Sequence, residues 1–288
     1  MSNVQVKPFE GMIGADIDGV DLSKPMSQQV RNDIYQAWLD YQVLRFRNQE
    51  LEYANLVDFS KDFGELDLAP ISSSGEREIP EFPEILVVSN IKKEGKAIGS
   101  LGSYEAVWHT DMSYLEVPPI MTCLYAVEVP EQGGNTVLLN MYAAYDDLSD
   151  ELKERISTLS CKHDYSRNSA GEVRKGYEQY ADEKDVRVIP GALHPLVYTH
   201  PETKKKSLYL GRRSNAYIDG LSVEESEQLL NLLWEHATKD AYQWAQQWRV
   251  GDLLLWDNRC TMHRRDAFDD DSRRLLLRTQ VRGQHKPS

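Results

Sequence analysis

Cysteine is scarce: Cys123, Cys161 and Cys260 stand far apart, with no Cys-x-x-Cys spacing. An odd, scattered set excludes a disulfide framework and points to reduced, buried thiols. Apolar runs are short, and none approaches the roughly 18 residues a membrane span needs. The opening Met1-Ser2-Asn3-Val4-Gln5 lacks the basic-then-apolar order of a signal peptide. A cytoplasmic protein with no membrane partner is expected. Basic residues are in the minority, 33 Lys and Arg against 46 Asp and Glu, for a net charge of −13. A phosphate backbone calls for a surplus of cations along one face, so nucleic acid is not an expected partner. No repeat, tail or linker divides the chain.

What remains is an ordinary globular composition, 41% hydrophobic, 27% charged and 9% aromatic over 288 residues. That length buries about three-quarters of the unfolded surface, so one domain over 1–288 is expected. Residues 4–22 read as two short strands around Gly11 and Gly14. Ser27 caps a helix to about Gln42; Val43–Phe46 alternates as a strand, and Tyr53 to Phe63 forms a helix stopped by Gly64. Prolines, glycines and the run Ser72-Ser73-Ser74 mark 67–103, where only Ile85–Val88 reads as a strand. A lid over a site is expected there, with a plain surface loop as the alternative. Strands follow over Ile120–Val127 and Thr136–Asn140, then a helix over Ala144–Ser157. Lys162–Asp185 carries no clear period, and His194–Pro201 marks a strand. Ser222-Val223-Glu224-Glu225 is a capping box opening a helix to about Ala237. Tyr242–Val250, Asp252–Asp257 and Arg274–Val281 close the chain as strands. Periodicity gives a β-rich α+β fold.

Chemistry concentrates in Trp108-His109-Thr110-Asp111-Met112 and in Trp256-Asp257-Asn258-Arg259-Cys260-Thr261-Met262-His263. If Val107 to Met112 is a strand, its period of two places His109 and Asp111 on one face, about 7 Å apart. With His263 they would form a two-histidine, one-carboxylate triad that leaves positions open on Fe(II). A lone His-x-Asp is weak, because most such pairs are solvated. His194 and His200 offer a rival site, but each precedes a proline and reads more simply as a hydrogen-bonded strand-end residue.

The triad, with Gly133-Gly134-Asn135-Thr136 between its halves and Arg274 and Arg278 beyond it, resembles the taurine dioxygenase/TfdA family of Fe(II)- and 2-oxoglutarate-dependent dioxygenases. The likeness runs from the Gly14–Leu22 stretch to Arg278. It implies a double-stranded β-helix, a cupin-like jelly roll with flanking helices. It also implies Fe(II), 2-oxoglutarate and O2 as cofactor and co-substrates, with release of succinate and CO2 as a substrate is hydroxylated. By resemblance, Arg274 and Thr136 hold the distal carboxylate of 2-oxoglutarate and Arg278 the substrate's anion; a surface ion pair and a plain strand threonine are the bland alternatives. Taurine itself fits poorly. Ala69, Ser214 and Glu105 stand where the taurine enzymes carry histidine, phenylalanine and asparagine. The smaller residues make room for a bulkier anion such as an aryloxyalkanoate or alkyl sulfate, beside sulfonates and other carboxylates. Asp111 argues against halogenation. A homo-oligomer, dimer or tetramer, is implied, and a non-catalytic jelly-roll protein that binds small anions is the alternative.

Overall fold

The computed structural model describes residues 3–70, 77–101, 106–168 and 171–288. The chain opens with the antiparallel pair β1 (Gln5–Pro8) and β2 (Ala15–Asp18). Ser27 accepts from the Val30 amide to start α1 (Gln28–Tyr41), and Gln42 ends it at φ 65° before β3 (Val43–Phe46). α2 (Tyr53–Lys61) follows. Next come β4 (Leu86–Ser89), the small hairpin β5 (Lys92–Lys93) and β6 (Lys96–Ala97), β7 (Ser100–Leu101), β8 (Ala106–His109), β9 (Met121–Glu128) and β10 (Thr136–Asn140). The helix expected over 144–157 is two helices, α3 (Met141–Asp146) and α4 (Asp150–Ile156). Ser149 starts the second by accepting from the Leu152 amide, which breaks the run.

The polar stretch after it contributes β11 (Ser160–Asp164), which periodicity missed, and β12 (Gly191–Pro195) and β13 (Val197–Thr199) split the strand expected at 194–201. β14 (Lys206–Leu208), β15 (Tyr217–Ile218) and the capping-box helix α5 (Val223–Ala237) precede β16 (Gln243–Gln246), β17 (Leu253–Asp257), β18 (Thr261–Arg265) and β19 (Leu275–Val281).

An eight-stranded sheet runs β1-β2-β3-β17-β9-β19-β4-β7, and a four-stranded sheet runs β16-β10-β18-β8. The central strands of the large sheet are apolar on both faces, as strands covered from two sides must be. Leu44, Phe46, Cys123, Leu253, Leu255 and Leu277 pack under α1 and α2 with Ile34, Trp38 and Leu56. The alternate residues Val43, Leu124, Ala126, Leu254, Trp256 and Leu276 meet Leu138 of the smaller sheet in a second core. A third core joins α3, α4 and α5 to β11 and β15. All three cysteines are buried and free, as expected.

Part of the expected lid belongs to this framework: β4 is buried and pairs with β19. Ser72–Ser74 and Glu105 lie outside the described residues, whereas Ala69 is buried in the second core. Among the described residues no helix is long and apolar enough to cross a membrane.

Candidate metal centre and its arginines

Period-two alternation sends Leu276, Arg278 and Gln280 of β19 and Thr122 and Leu124 of β9 into the space between the two sheets. From the smaller sheet the register Thr136↔Arg265 and Leu138↔His263 aims the opposing set at the same space. His263 also pairs with His109 across β18 and β8, which brings the two rings to 4.2 Å.

Asp111 arrives differently from the sequence expectation. The strand ends at His109, because the Thr110 amide donates to Gly211 O and its hydroxyl to Thr261 O. Asp111 lies in the following turn, where Met112 takes φ 48°. The carboxylate nonetheless reaches both rings: His109 Nε2 is 3.8 Å from Oδ1 and His263 Nε2 is 3.9 Å from Oδ2. The donor atoms all lie within 4.8 Å of one another. Donors held about 2.1 Å from one ion stand roughly 3–4 Å apart, so the set closes on a cation with little movement.

Protonation states suit a cation. Val107 O accepts from His109 Nδ1 at 2.8 Å, which leaves the Nε2 lone pair turned inward. Burial, then the neighbouring His263 and Arg212, drive His109 well below the usual imidazole range, and burial lowers His263 too. Burial alone would raise the Asp111 carboxyl, but the Arg278 guanidinium, foremost among its neighbours, holds it below the usual carboxylate range. Two neutral imidazoles and one carboxylate result. Thr122 donates to Asp111 Oδ2 at 2.8 Å, and Asn258 and Gln280 both donate to Thr122 Oγ1. Trp256 Nε1 holds Asn258, and its ring lies 4.8 Å from His263. Sequence reasoning missed this support, since Thr122, Asn258 and Gln280 look like ordinary strand and turn residues.

Arg278 donates from Nη1 to Asp111 Oδ1 at 3.1 Å, and among the described residues its buried Nε has no hydrogen-bond partner. Arg274 is 2% exposed and its Nε also lacks a partner. Burial and the charge of Arg265 lower its guanidinium to about 9. Phe268 lies over both Arg265 and Arg274, a ring contact with no sequence signal. Gly134 passes so close that an added Cβ would meet Arg274 Nε at 3.2 Å, which explains a glycine there. Thr136 is buried and accepts from Trp248 Nε1 at 3.1 Å, so its own hydroxyl hydrogen remains to be donated.

The rival histidines are structural: His194 Nε2 meets Leu115 O, and His200 Nε2 meets Asp257 Oδ2. Ser214 is exposed in a turn. Two residues earlier, Arg212 is buried and bridges backbone to backbone with His109. In the Arg212-Arg213 pair only position decides: Arg213 turns out to Glu227, and Arg212 turns in.

Known proteins resemble this chain over nearly its whole length. The family described as "Taurine catabolism dioxygenase TauD, TfdA family" matches residues 5–280. Pentalenolactone F synthase of Streptomyces arenae is 32% identical over 95% of this chain and 93% of its own. The alpha-ketoglutarate-dependent 2,4-dichlorophenoxyacetate dioxygenase of Cupriavidus pinatubonensis is 31% identical over 96% of both. The crystal structure of AAD-2 in complex with Mn(II) and N-oxalylglycine superposes with a TM-score of 0.80 at 32% identity, covering 99% of this chain and 100% of that one.

Proposed function

Because this chain belongs to the TauD/TfdA family of dioxygenases, we propose that it hydroxylates a small organic anion, with Fe(II) held by His109, Asp111 and His263 and 2-oxoglutarate as co-substrate. The observation that carries this reading is the buried convergence of the three donor atoms within 4.8 Å; burial, which lowers both imidazoles, and Arg278, which lowers the carboxyl, favour the ligand forms a cation needs. In the bound state, iron with 2-oxoglutarate and O2 couples decarboxylation to succinate and CO2 with hydroxylation of a C–H bond. We read the two facing sheets as the halves of a cupin-type double-stranded β-helix, within one catalytic domain over 1–288. The lid reading is kept for the segments flanking β4 within 67–103.

The chain's own residues divide the remaining work. Thr122 and Arg278 fix the Asp111 carboxylate from two sides, so one ligand geometry persists without metal. Arg274 offers a charged, planar fork in a dry pocket, and such a charge costs several kcal/mol until an anion meets it. The distal carboxylate of 2-oxoglutarate answers that need, and the Thr136 hydroxyl has a hydrogen to donate to it. Arg278 keeps its Nε for a ligand at the edge of the metal centre. For the substrate we favour an aryloxyalkanoate, alkyl sulfate, sulfonate or other carboxylate, since the relative from Cupriavidus pinatubonensis is named for such an anion and Arg278 can meet its charge.

The test is succinate release from 2-oxoglutarate with Fe(II) and ascorbate across a panel of aryloxyalkanoates, sulfate esters, sulfonates and simple carboxylates. Stimulation by one class is the expected result. Iron-loaded protein that forms no succinate with or without panel members would replace this reading with a non-catalytic anion-binding protein.

A further inference from the structure

We propose that Arg212, with Arg174 beside it, is the principal clamp for the carboxylate or sulfate group of the substrate, a role that Arg278 supports from the edge of the metal centre. The inference rests on the reading of the triad as an iron site and adds the residues that select its substrate.

The position is set by backbone. His109 is bridged on one side by His263 of β18 and on the other by Arg212. Arg212 therefore flanks β8 on the side away from β18, one strand spacing from a metal ligand. Its charge is felt at both imidazoles. Arg212 is 8% exposed, and among the described residues its Nε has no hydrogen-bond partner.

The surroundings supply no counter-ion. Among the described residues no ion pair reaches Arg212 or Arg174; beside the Tyr114 phenol, the carboxylates whose fields reach Arg212 are Asp111 and Asp164. Both carboxylates are occupied. Asp111 accepts from Arg278 and Thr122, and Asp164 accepts from Ser166 and Asn215. Instead, Arg212 Nη1 and Arg174 Nε donate to one oxygen, Arg167 O, at 2.8 and 3.2 Å. Both guanidiniums also lie over the Tyr114 ring, at 5.1 and 4.0 Å from its centroid. Two like charges thus converge at a carbonyl and an aromatic ring, which orient them without neutralising them. A buried guanidinium left so is costly unless an anion completes it. Arg278 is already committed to Asp111, so the stronger unmet demand lies at Arg212.

The experiment compares wild type with Arg212→Gln and Arg174→Gln. Glutamine keeps a donor for Arg167 O while removing the charge. With 2,4-dichlorophenoxyacetate, phenoxypropionate and hexyl sulfate as probes, Arg212→Gln should raise the substrate KM at least about 30-fold, as expected for loss of a charge-assisted pair. The KM for 2-oxoglutarate should move less than about three-fold, and the melting temperature of the ligand-free protein should hold or rise, since an unpaired charge is gone. A merely structural arginine would lower the melting temperature and leave the substrate KM unchanged, which would overturn the proposal. A second readout needs no turnover: sulfate against chloride at matched ionic strength, on anaerobic protein filled with Mn(II) and 2-oxoglutarate so that Arg274 is occupied. Saturable stabilisation by sulfate in wild type that disappears in Arg212→Gln supports the clamp; equal stabilisation in both sinks it. Should no probe turn over in iron-loaded wild type, the substrate panel fails and the sulfate titration alone decides. Wild type that binds neither metal nor 2-oxoglutarate overturns the iron reading and this inference together.

Discussion

Two buried charge clusters hang from one stretch of chain, β17, β18 and the turn that carries it from the large sheet to the small one, and they are built on opposite plans. At its turn, Asp257 accepts twice from the Arg259 side chain and once from His200, and Arg259 passes on to Glu202. Trp38 covers that guanidinium at 4.8 Å, and Tyr35 closes on Glu202. Every charge there has its opposite. Two residues beyond Thr261, His263 joins His109 and Asp111, where the ligand atoms face one another across 3.8–3.9 Å and are not hydrogen-bonded together. Around them Arg212, Arg274 and Arg278 each keep a buried Nε without a partner among the described residues. A closed network stabilises the turn that joins the two sheets, whereas an open one stores demand for ligands. The difference separates buried polar residues that serve the fold from those that serve a reaction.

Asp111→Ala should break the open cluster outright. Iron-dependent turnover is expected to fall more than about 1,000-fold, because the only anionic ligand is lost and Arg278 is left unpaired. Measured iron content with the succinate assay checks it, and an active variant would remove Asp111 from the ligand set. Asp257→Ala, the matching cut in the closed cluster, should act on stability: removing one partner of a buried pair costs about 3–5 kcal/mol, read by chemical denaturation. The folded fraction should still bind iron. If this variant lost iron at full stability, the division between the two clusters would fail.

Arg274→Ala sharpens the contrast from the other side. Among the described residues the guanidinium has no carboxylate partner to lose, so the fold should barely notice, while the 2-oxoglutarate KM should rise on the order of 100-fold. Arg278→Ala should chiefly raise the substrate KM and weaken metal retention through Asp111. Exchange of the two effects on KM would exchange the two assignments.

Much of this was legible in the residues, and the exceptions have physical causes. α1 and α5 announced themselves through Ser27, Ser222 and apolar stripes, because helix caps and a 3.6 period are local signals. The triad was legible as a set of residue types, yet the reason offered for its geometry was not the operative one. Asp111 meets His109 through a turn pinned by Gly211 and Thr261, partners far away in sequence. Arg212 was invisible for the same reason: nothing local distinguishes it from Arg213. Thr122, Asn258 and Gln280 depend on strand register, which links three distant segments around one carboxylate. The split of α3 from α4 was a local signal overlooked, since Ser149 before Asp150-Glu151 is an ordinary N-cap.

The smallest expected effect is a pH dependence that belongs to the closed cluster. Burial alone would raise the Asp257 carboxyl, but Arg259 and the His200 hydrogen bond hold it at about 2 against an ordinary 3.8. A depressed carboxylate contributes stability that is complete above the unfolded value and fades as pH falls toward the folded one. Between pH 5 and pH 2, the stability gap between wild type and Asp257→Asn should therefore shrink by about 2 kcal/mol. Using that gap cancels the other carboxylates, Asp111 included, which titrate alike in both proteins. A gap that stays constant across the window would mean that Asp257 is not held ionised by its partners, and the turn after β17 would then owe its order to the bonds that Cys260 N and Thr261 Oγ1 donate to Asp257 O and not to the closed charge network.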